Sequence, residues 1–170
     1  TWLNFHSWCK RVCEETDHYE EYRSLWKAHF DSEQEFFDAD VKDSPSLAHL
    51  LSEAIPALVR RVIDQDHRGL VSKYDAVLVD EGQDFLPNWW NVLRKVCKPN
   101  GEMLLVADAT QDIYGTARSW TDEAMTGAGF PGGRWATLSI SYRLPPEAAD
   151  AARRFASNFL PKDLVDLPQD

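Results

Sequence analysis

Polar side chains follow three apolar runs of the sequence, and their types suit phosphate chemistry. The first run continues into the acidic stretch 80–84, Asp-Glu-Gly-Gln-Asp, the second is followed by Gln111, and the third by Tyr142 and Arg143. Two adjacent acids can divide the work, because one can bind a hydrated Mg²⁺ while the other orients and deprotonates a water. A glutamine can sense a terminal phosphate, and an arginine can neutralise charge on a transferred phosphoryl group. These residue types together predict hydrolysis of a nucleoside triphosphate.

The same acids have a simpler interpretation as loop residues that cap the next helix. For a lone Asp-Glu pair that interpretation is the more common one, and Asp84, just before Pro87, is better placed for capping than for catalysis. The two interpretations differ in one geometric requirement. Catalysis needs Gln111 and Arg143 on the same side of the molecule as Asp80 and Glu81.

The elements that position these residues are predicted from the spacing of apolar side chains. Runs without alternation suit strands that are covered on both faces, as in a parallel sheet. Prolines open the helices that follow the first and third runs, since a proline in the first turn loses no helical hydrogen bond. Open parallel sheets bind ligands at the carboxyl ends of their strands. The predicted strands are 76–79, 103–106 and 136–140, and the predicted helices begin at Pro87 and at Pro145-Pro146. The second of these helices has a predicted packing side of Ala148, Ala149, Ala152, Phe155, Ala156 and Phe159.

The region from Phe5 to about Asp66 has helical periodicity and no convincing strand. Ser46 can cap a helix within it, and Pro56 should kink or split that helix. His6, Cys9 and Cys13 share one helical face; metal ligation is conceivable, but buried core cysteines are the more common outcome.

The composition of the chain limits which partners and which cellular setting it suits. The net charge is −10 and both halves of the 170-residue chain are acidic, so any nucleic-acid contact must be local or come from elsewhere. No apolar run is long enough to span a bilayer, and three cysteines without an export signal favour a reduced, cytoplasmic setting. The absence of an initiator Met predicts a piece excised from a longer protein.

Four segments, in order, resemble motifs of the UvrD/Rep-like superfamily 1 DNA helicases. Residues 4–8 resemble motif Ib, 74–85 the Walker B segment or motif II, 106–115 motif III, and 138–143 motif IV. This resemblance implies an α/β fold, a partial RecA-like parallel sheet of the P-loop NTPases with an α-helical insertion similar to domain 1B. The implied divisions are 1–16 and 71–134 for domain 1A, 17–70 for the insertion, and 135–170 for the start of a second RecA-like domain.

The resemblance also implies roles for individual residues. Asp80 would ligate Mg²⁺, Glu81 would be the general base, and Gln111 and Arg143 would contact the γ-phosphate of ATP. Supporting positions around the nucleotide would be Gln83, Asp84 and Tyr142, and positions on nucleic acid would be His6, Ser7, Arg118 and Trp120. The implied partners are single-stranded DNA, or RNA, and the remaining helicase domains.

Two departures from the family pattern affect these expectations. The sequence contains no G-x-x-x-x-G-K-[ST] loop, so nothing in it cradles the β- and γ-phosphates, and motifs V and VI are also missing. Thr116 and Ala117 stand where the family has an aromatic and a basic residue that grip bases; Trp120 lies nearby as a stacking platform or as an ordinary surface or core tryptophan. We therefore expect a helicase or translocase fragment that does not turn over ATP alone. The alternative is a catalytically inactive helicase-like scaffold for protein interactions.

Overall fold

The computed structural model describes residues 2–30, 45–107, Gly129, Ala136 and 145–159. The chain divides into two compact units. The first comprises Thr1–Leu78 and Asn88–Leu104, and the second comprises Val79–Pro87 and Leu105–Asp170. The domain boundaries expected from the family resemblance remain predictions.

Two helices open the first unit, as the periodicity predicts. Helix α1 spans Phe5–Glu15 and helix α2 spans Tyr19–His29. The Asn4 side chain caps α1 by accepting a hydrogen bond from the Ser7 N–H at 2.7 Å. Buried side chains recur along α1 at helical spacing, which gives it one packing face: Phe5, Trp8, Cys9, Val12 and Cys13.

The predicted kink or split at Pro56 takes the form of a π-helical turn before the proline, and the backbone stays helical from His49 to Ile55 without a break. Helix α3 covers Pro45–His49, a π-helical turn covers Leu50–Ala54, and helix α4 covers Ile55–Asp64. A proline has no N–H to donate and its ring crowds the preceding turn, so the backbone widens to a π turn before it. Ser46, predicted as the cap, instead lies inside α3, which begins one residue earlier.

A two-stranded parallel sheet follows. Strand β1 is Tyr74–Val79, helix α5 is Pro87–Arg94, and strand β2 is Cys97–Leu105. The Tyr74 N–H donates to the Val96 carbonyl at 2.8 Å, and the Val106 N–H donates to the Val79 carbonyl at 2.9 Å. The strands thus start together and end together, which brings the residues after β1 beside the end of β2. The mixture of helices and parallel strands is α/β, and α5 begins at Pro87 as predicted.

The expectation that both strands are covered on both faces is wrong for β1 and β2. Val79 and Leu105 are buried, but Leu78 is 59% exposed and Leu104 is 52% exposed. Side chains alternate between the faces of a strand. One face of this pair is therefore packed and the other is open in the part of the chain that the structure describes.

Helix α6, Pro146–Phe159, lies in the second unit and begins where the proline pair predicts. Its predicted packing side is only partly confirmed, because Ala156 is buried whereas Phe155 and Phe159 are exposed. Their rings contact each other, with centroids 4.9 Å apart. Buried and half-buried positions form a narrower stripe of Ala149, Arg153 and Ala156. The third predicted strand, 136–140, lies outside the described residues apart from Ala136, which is exposed.

Candidate functional site

An acidic loop begins where β1 ends. Val79 is buried, and the next two residues, Asp80 and Glu81, are both exposed. The Asp80 carboxylate accepts a hydrogen bond from the Glu81 N–H through Oδ1 at 3.0 Å. The change from a buried strand to exposed acids within one residue presents two carboxylates to solvent at the carboxyl end of β1, as the sequence predicts.

The backbone of Glu81 is left-handed, with φ 54° and ψ 44°. This conformation is uncommon for residues other than glycine, because Cβ crowds the following carbonyl at a cost of about 1–2 kcal/mol. A 3₁₀ turn over Gly82–Asp84 follows at once. The Asp84 N–H donates to the Glu81 carbonyl at 3.0 Å, which helps to hold Glu81 in this conformation.

Gly82 joins this turn to the end of the sheet. Its N–H donates to the Val106 carbonyl at 2.7 Å. A Cβ atom at Gly82 would lie 2.6 Å from Leu105 Cδ1 and 2.9 Å from the Val106 carbonyl oxygen. The close approach therefore needs a residue without a side chain.

Gln83 is the buried member of the loop, with a side chain in contact with Glu81. Only 2% of Gln83 is exposed. Its Nε2 donates to Glu81 Oε2 at 2.6 Å. One oxygen of the exposed carboxylate is thus held by a side chain that is itself buried.

The family model of the UvrD/REP helicase N-terminal domain matches residues 14–119, more than half of the chain. The chain belongs to this helicase family. Comparisons with curated proteins and with solved structures gave no match. The matched region contains the whole acidic loop, together with Gln111 and Arg118, whereas five predicted site residues lie beyond its limits: His6, Ser7, Trp120, Tyr142 and Arg143.

Five of the predicted site residues of this helicase-family chain lie outside the described residues. They are Gln111, Arg118, Trp120, Tyr142 and Arg143, and their roles on nucleotide or nucleic acid remain predictions. Among the predicted residues that the structure does describe, Asp80, Glu81, Gln83 and Asp84 are brought together in one loop. His6 and Ser7 lie on α1 in the other unit.

The acidic loop fits a magnesium ion shared with a nucleotide. Mg²⁺ prefers carboxylate oxygens and needs only one or two of them, because waters and substrate phosphates complete its shell. Asp80 and Glu81 supply two exposed carboxylates. Within the described ranges, no group of three or more His, Cys, Asp or Glu side chains could hold a metal. Two carboxylates are enough for an Mg²⁺ ion whose shell is completed by waters and by the phosphates of a nucleotide.

His6 makes an internal hydrogen bond that the sequence analysis missed. Its Nε2 lies 2.9 Å from the Leu51 carbonyl, and its ring meets Trp89 edge to face at 4.9 Å. Burial lowers the pKa of His6, although the bond to the Leu51 carbonyl acts in the opposite direction. The neutral ring then donates through Nε2, which leaves Nδ1 as an acceptor. A phosphate contact by His6 would need a protonated ring; this role, and that of the exposed Ser7, stays a prediction.

The π turn explains why His6 has this partner. In a π-helix, the N–H of residue 56 would donate to the Leu51 carbonyl, five residues earlier. In an α-helix, the same N–H would donate to the Ser52 carbonyl, four residues earlier. Pro56 has no N–H to offer to either. His6 donates to Leu51, while Asn88 Nδ2 and Trp89 Nε1 donate to Ser52 at 2.7 and 3.2 Å. A proline inside a helical pattern was the available signal for these contacts.

Cys9 and Cys13 are core residues, as the more common interpretation of their spacing predicts. Both are fully buried. Burial raises the pKa of the Cys9 thiol well above its usual value and that of Cys13 to about 12. Metal binding and nucleophilic chemistry use the thiolate, whereas burial favours the protonated form of both thiols.

Proposed function

We propose that this chain supplies the magnesium-binding and water-activating part of an ATP-hydrolysing helicase or translocase that acts on single-stranded nucleic acid. The observation that carries the proposal is the exposed pair Asp80–Glu81 at the end of a buried strand, with its second acid held in a fixed conformation. Membership of the UvrD/REP helicase family supports nucleotide and nucleic-acid binding as the setting for that pair.

In the proposed reaction, Glu81 accepts a proton from a water molecule whose oxygen forms a bond to the γ-phosphorus of ATP. The bond between that phosphorus and the bridging oxygen breaks, and ADP leaves with the bond's electron pair. Asp80 would hold Mg²⁺, which when bound supplies positive charge to neutralise the phosphate oxygens. Gln111 and Arg143 are proposed to contact the γ-phosphate. Asp84 and Tyr142 are proposed to support the nucleotide site.

The remaining parts of the site would come from other polypeptide. The 170 residues include no G-x-x-x-x-G-K-[ST] loop, so the backbone cradle and lysine for the β- and γ-phosphates must be supplied from elsewhere. Phosphoryl transfer depends mainly on positioning and electrostatics. We therefore expect the 170-residue chain alone to hydrolyse ATP no faster than a matched Glu81→Gln chain.

Nucleic-acid binding is proposed to be local. The net charge of −10 opposes binding along a broad surface, because phosphate contacts are made mainly by Lys and Arg. The proposed contacts are His6, Ser7, Arg118 and Trp120. The proposed partner is single-stranded DNA, with RNA as the competing substrate in the same assay.

Release of phosphate by the protein encoded in the full reading frame tests this function. With Mg²⁺, ATP and single-stranded DNA, Glu81→Gln should lower turnover by about 10²–10⁴-fold, the usual contribution of a general base. Binding of a fluorescent ATP analogue should be retained. The matched control is Glu102→Gln, an exposed glutamate on β2 outside the loop, and it should turn over ATP at the wild-type rate. Equal turnover in wild type and Glu81→Gln would refute the proposed role.

A catalytically inactive helicase-like scaffold is the second candidate. The missing phosphate-binding loop and the acidic net charge favour it. It predicts that the full-length protein neither binds nor hydrolyses ATP, and that Asp80→Asn and Glu81→Gln leave its partner binding unchanged.

A further inference from the structure

The exposed side chain of Glu81 needs a restraint if it is to act as a general base. A solvent-exposed glutamate has several rotatable bonds, and its carboxylate samples many positions. A general base must lie within hydrogen-bond distance of the proton that it removes, and small misplacements are costly. Something in the fold has to restrict the Glu81 carboxylate if this residue is to act on a particular water.

Gln83 is placed to impose that restriction. Its amide nitrogen lies 2.6 Å from Glu81 Oε2, and only 2% of the residue is exposed. Hydrogen bonds to a charged acceptor are shorter and stronger than those between neutral groups. Because Gln83 is buried, its side chain has little freedom to follow an exposed partner that moves.

The backbone between the two residues is also restrained. Gly82 lies between Glu81 and Gln83, and its N–H is bonded to the Val106 carbonyl at 2.7 Å. The Phe85 N–H donates back to the Gly82 carbonyl at 3.1 Å, which closes the 3₁₀ turn. The donor of the Glu81 contact is therefore mounted on a turn that is itself tied to the end of β2.

We propose that Gln83 is a positioning residue that acts through Glu81. Its amide occupies Oε2 and leaves Oε1 as the oxygen that takes the proton from the attacking water. This differs from the supporting position around the nucleotide that the family resemblance implies, since the interaction of Gln83 is with the base. The inference rests on the proposed ATPase function, in which Glu81 is that base.

The test is a double-mutant cycle on ATP turnover in the full-length protein. Gln83→Met keeps the length of a buried side chain but removes the amide donor. In the wild-type background it should lower kcat on the order of 10- to 100-fold, the cost of a misplaced catalytic group, with KM for ATP unchanged. In the Glu81→Gln background, where there is no base to position, it should cause no further loss.

A second variant distinguishes positioning from support of the loop. Gln83→Glu keeps the side-chain length but can donate to Glu81 only when the acid pair carries a proton. Its kcat relative to that of Gln83→Met should therefore rise as the pH falls. The melting midpoints of all variants would show whether the buried methionine destabilises the protein. If it does, the pH dependence of Gln83→Glu still tests the positioning role.

The possible failures are separable. If Glu81→Gln itself leaves turnover unchanged, the proposed function fails. If Glu81→Gln lowers turnover as expected but Gln83→Met lowers kcat by the same factor in both backgrounds, or acts only on KM, Gln83 supports the loop and the positioning role is overturned. A ratio of Gln83→Glu to Gln83→Met rates that does not change with pH overturns it as well.

Discussion

Replacement of Gly82 by alanine should destabilise the loop that carries the acid pair. The added Cβ would lie 2.6 Å from Leu105 Cδ1 and 2.9 Å from the Val106 carbonyl oxygen, where 3.4–4 Å is an ordinary contact. Leu105 is a side chain and can move. The Val106 oxygen belongs to the backbone and already accepts the Gly82 N–H at 2.7 Å. The strand and the turn must therefore separate.

The magnitude follows from three terms. Overpacking of this kind costs about 1–3 kcal/mol. Weakening of the Gly82–Val106 hydrogen bond adds about 0.5–1.5 kcal/mol. Alanine also restricts the unfolded chain, which offsets about 0.4–1 kcal/mol of the loss. The free energy of unfolding should fall by roughly 0.5–4 kcal/mol, and the melting midpoint by about 2–4 °C for each kcal/mol in a chain of this size.

Thermal unfolding followed by circular dichroism measures this change. Gly69→Ala is the matched control, because Gly69 has φ +68° but no atom within 4 Å of the added Cβ. It should report only the backbone strain of an alanine at positive φ, about 1–2 kcal/mol. A Gly82→Ala protein that melts at or above the wild-type temperature would show that the loop does not approach the end of β2 as closely as described.

Two further predictions concern the groups around the π turn. The pKa of His6 is lower in the folded protein than its usual value of 6.5, so the unfolded state binds more protons. The stability that neutral His6 contributes is therefore fully present above pH 6.5. It is lost as the pH falls through the lowered pKa of the folded state. Denaturant titrations should therefore show that His6→Gln, which does not titrate, flattens the loss of stability between about pH 7 and pH 5; a slope equal to that of wild type would contradict this. Asn88→Ala and Trp89→Phe should each cost about 0.5–1.5 kcal/mol, while the double variant, which leaves the Ser52 carbonyl without either donor, should cost more than their sum. Simple additivity in urea unfolding would show that the two donors do not share one acceptor.

Local patterns in the sequence predicted the elements well. The helical spacing before Asp66 and the start of α5 at Pro87 are confirmed, and Pro56 is preceded by a π turn that does not break the helix. These features depend on residues within a turn or two of one another. Which faces of the strands are packed could not be predicted in the same way. An apolar run such as 103–106 shows that its residues can be buried, but it does not show which elements pack against each face.

In the candidate site, too, local features were predictable from the sequence and long-range contacts were not. The sequence alone determined that two acids follow an apolar strand, because the change from apolar to charged residues at Val79–Asp80 is local. Only the tertiary structure decided that Glu81 is left-handed, that Gly82 is bonded to Val106, and that Gln83 is buried beside the Glu81 carboxylate. Those contacts require the end of β2 to lie against the loop, and pairing between distant segments depends on how the whole unit packs and on no short-range pattern.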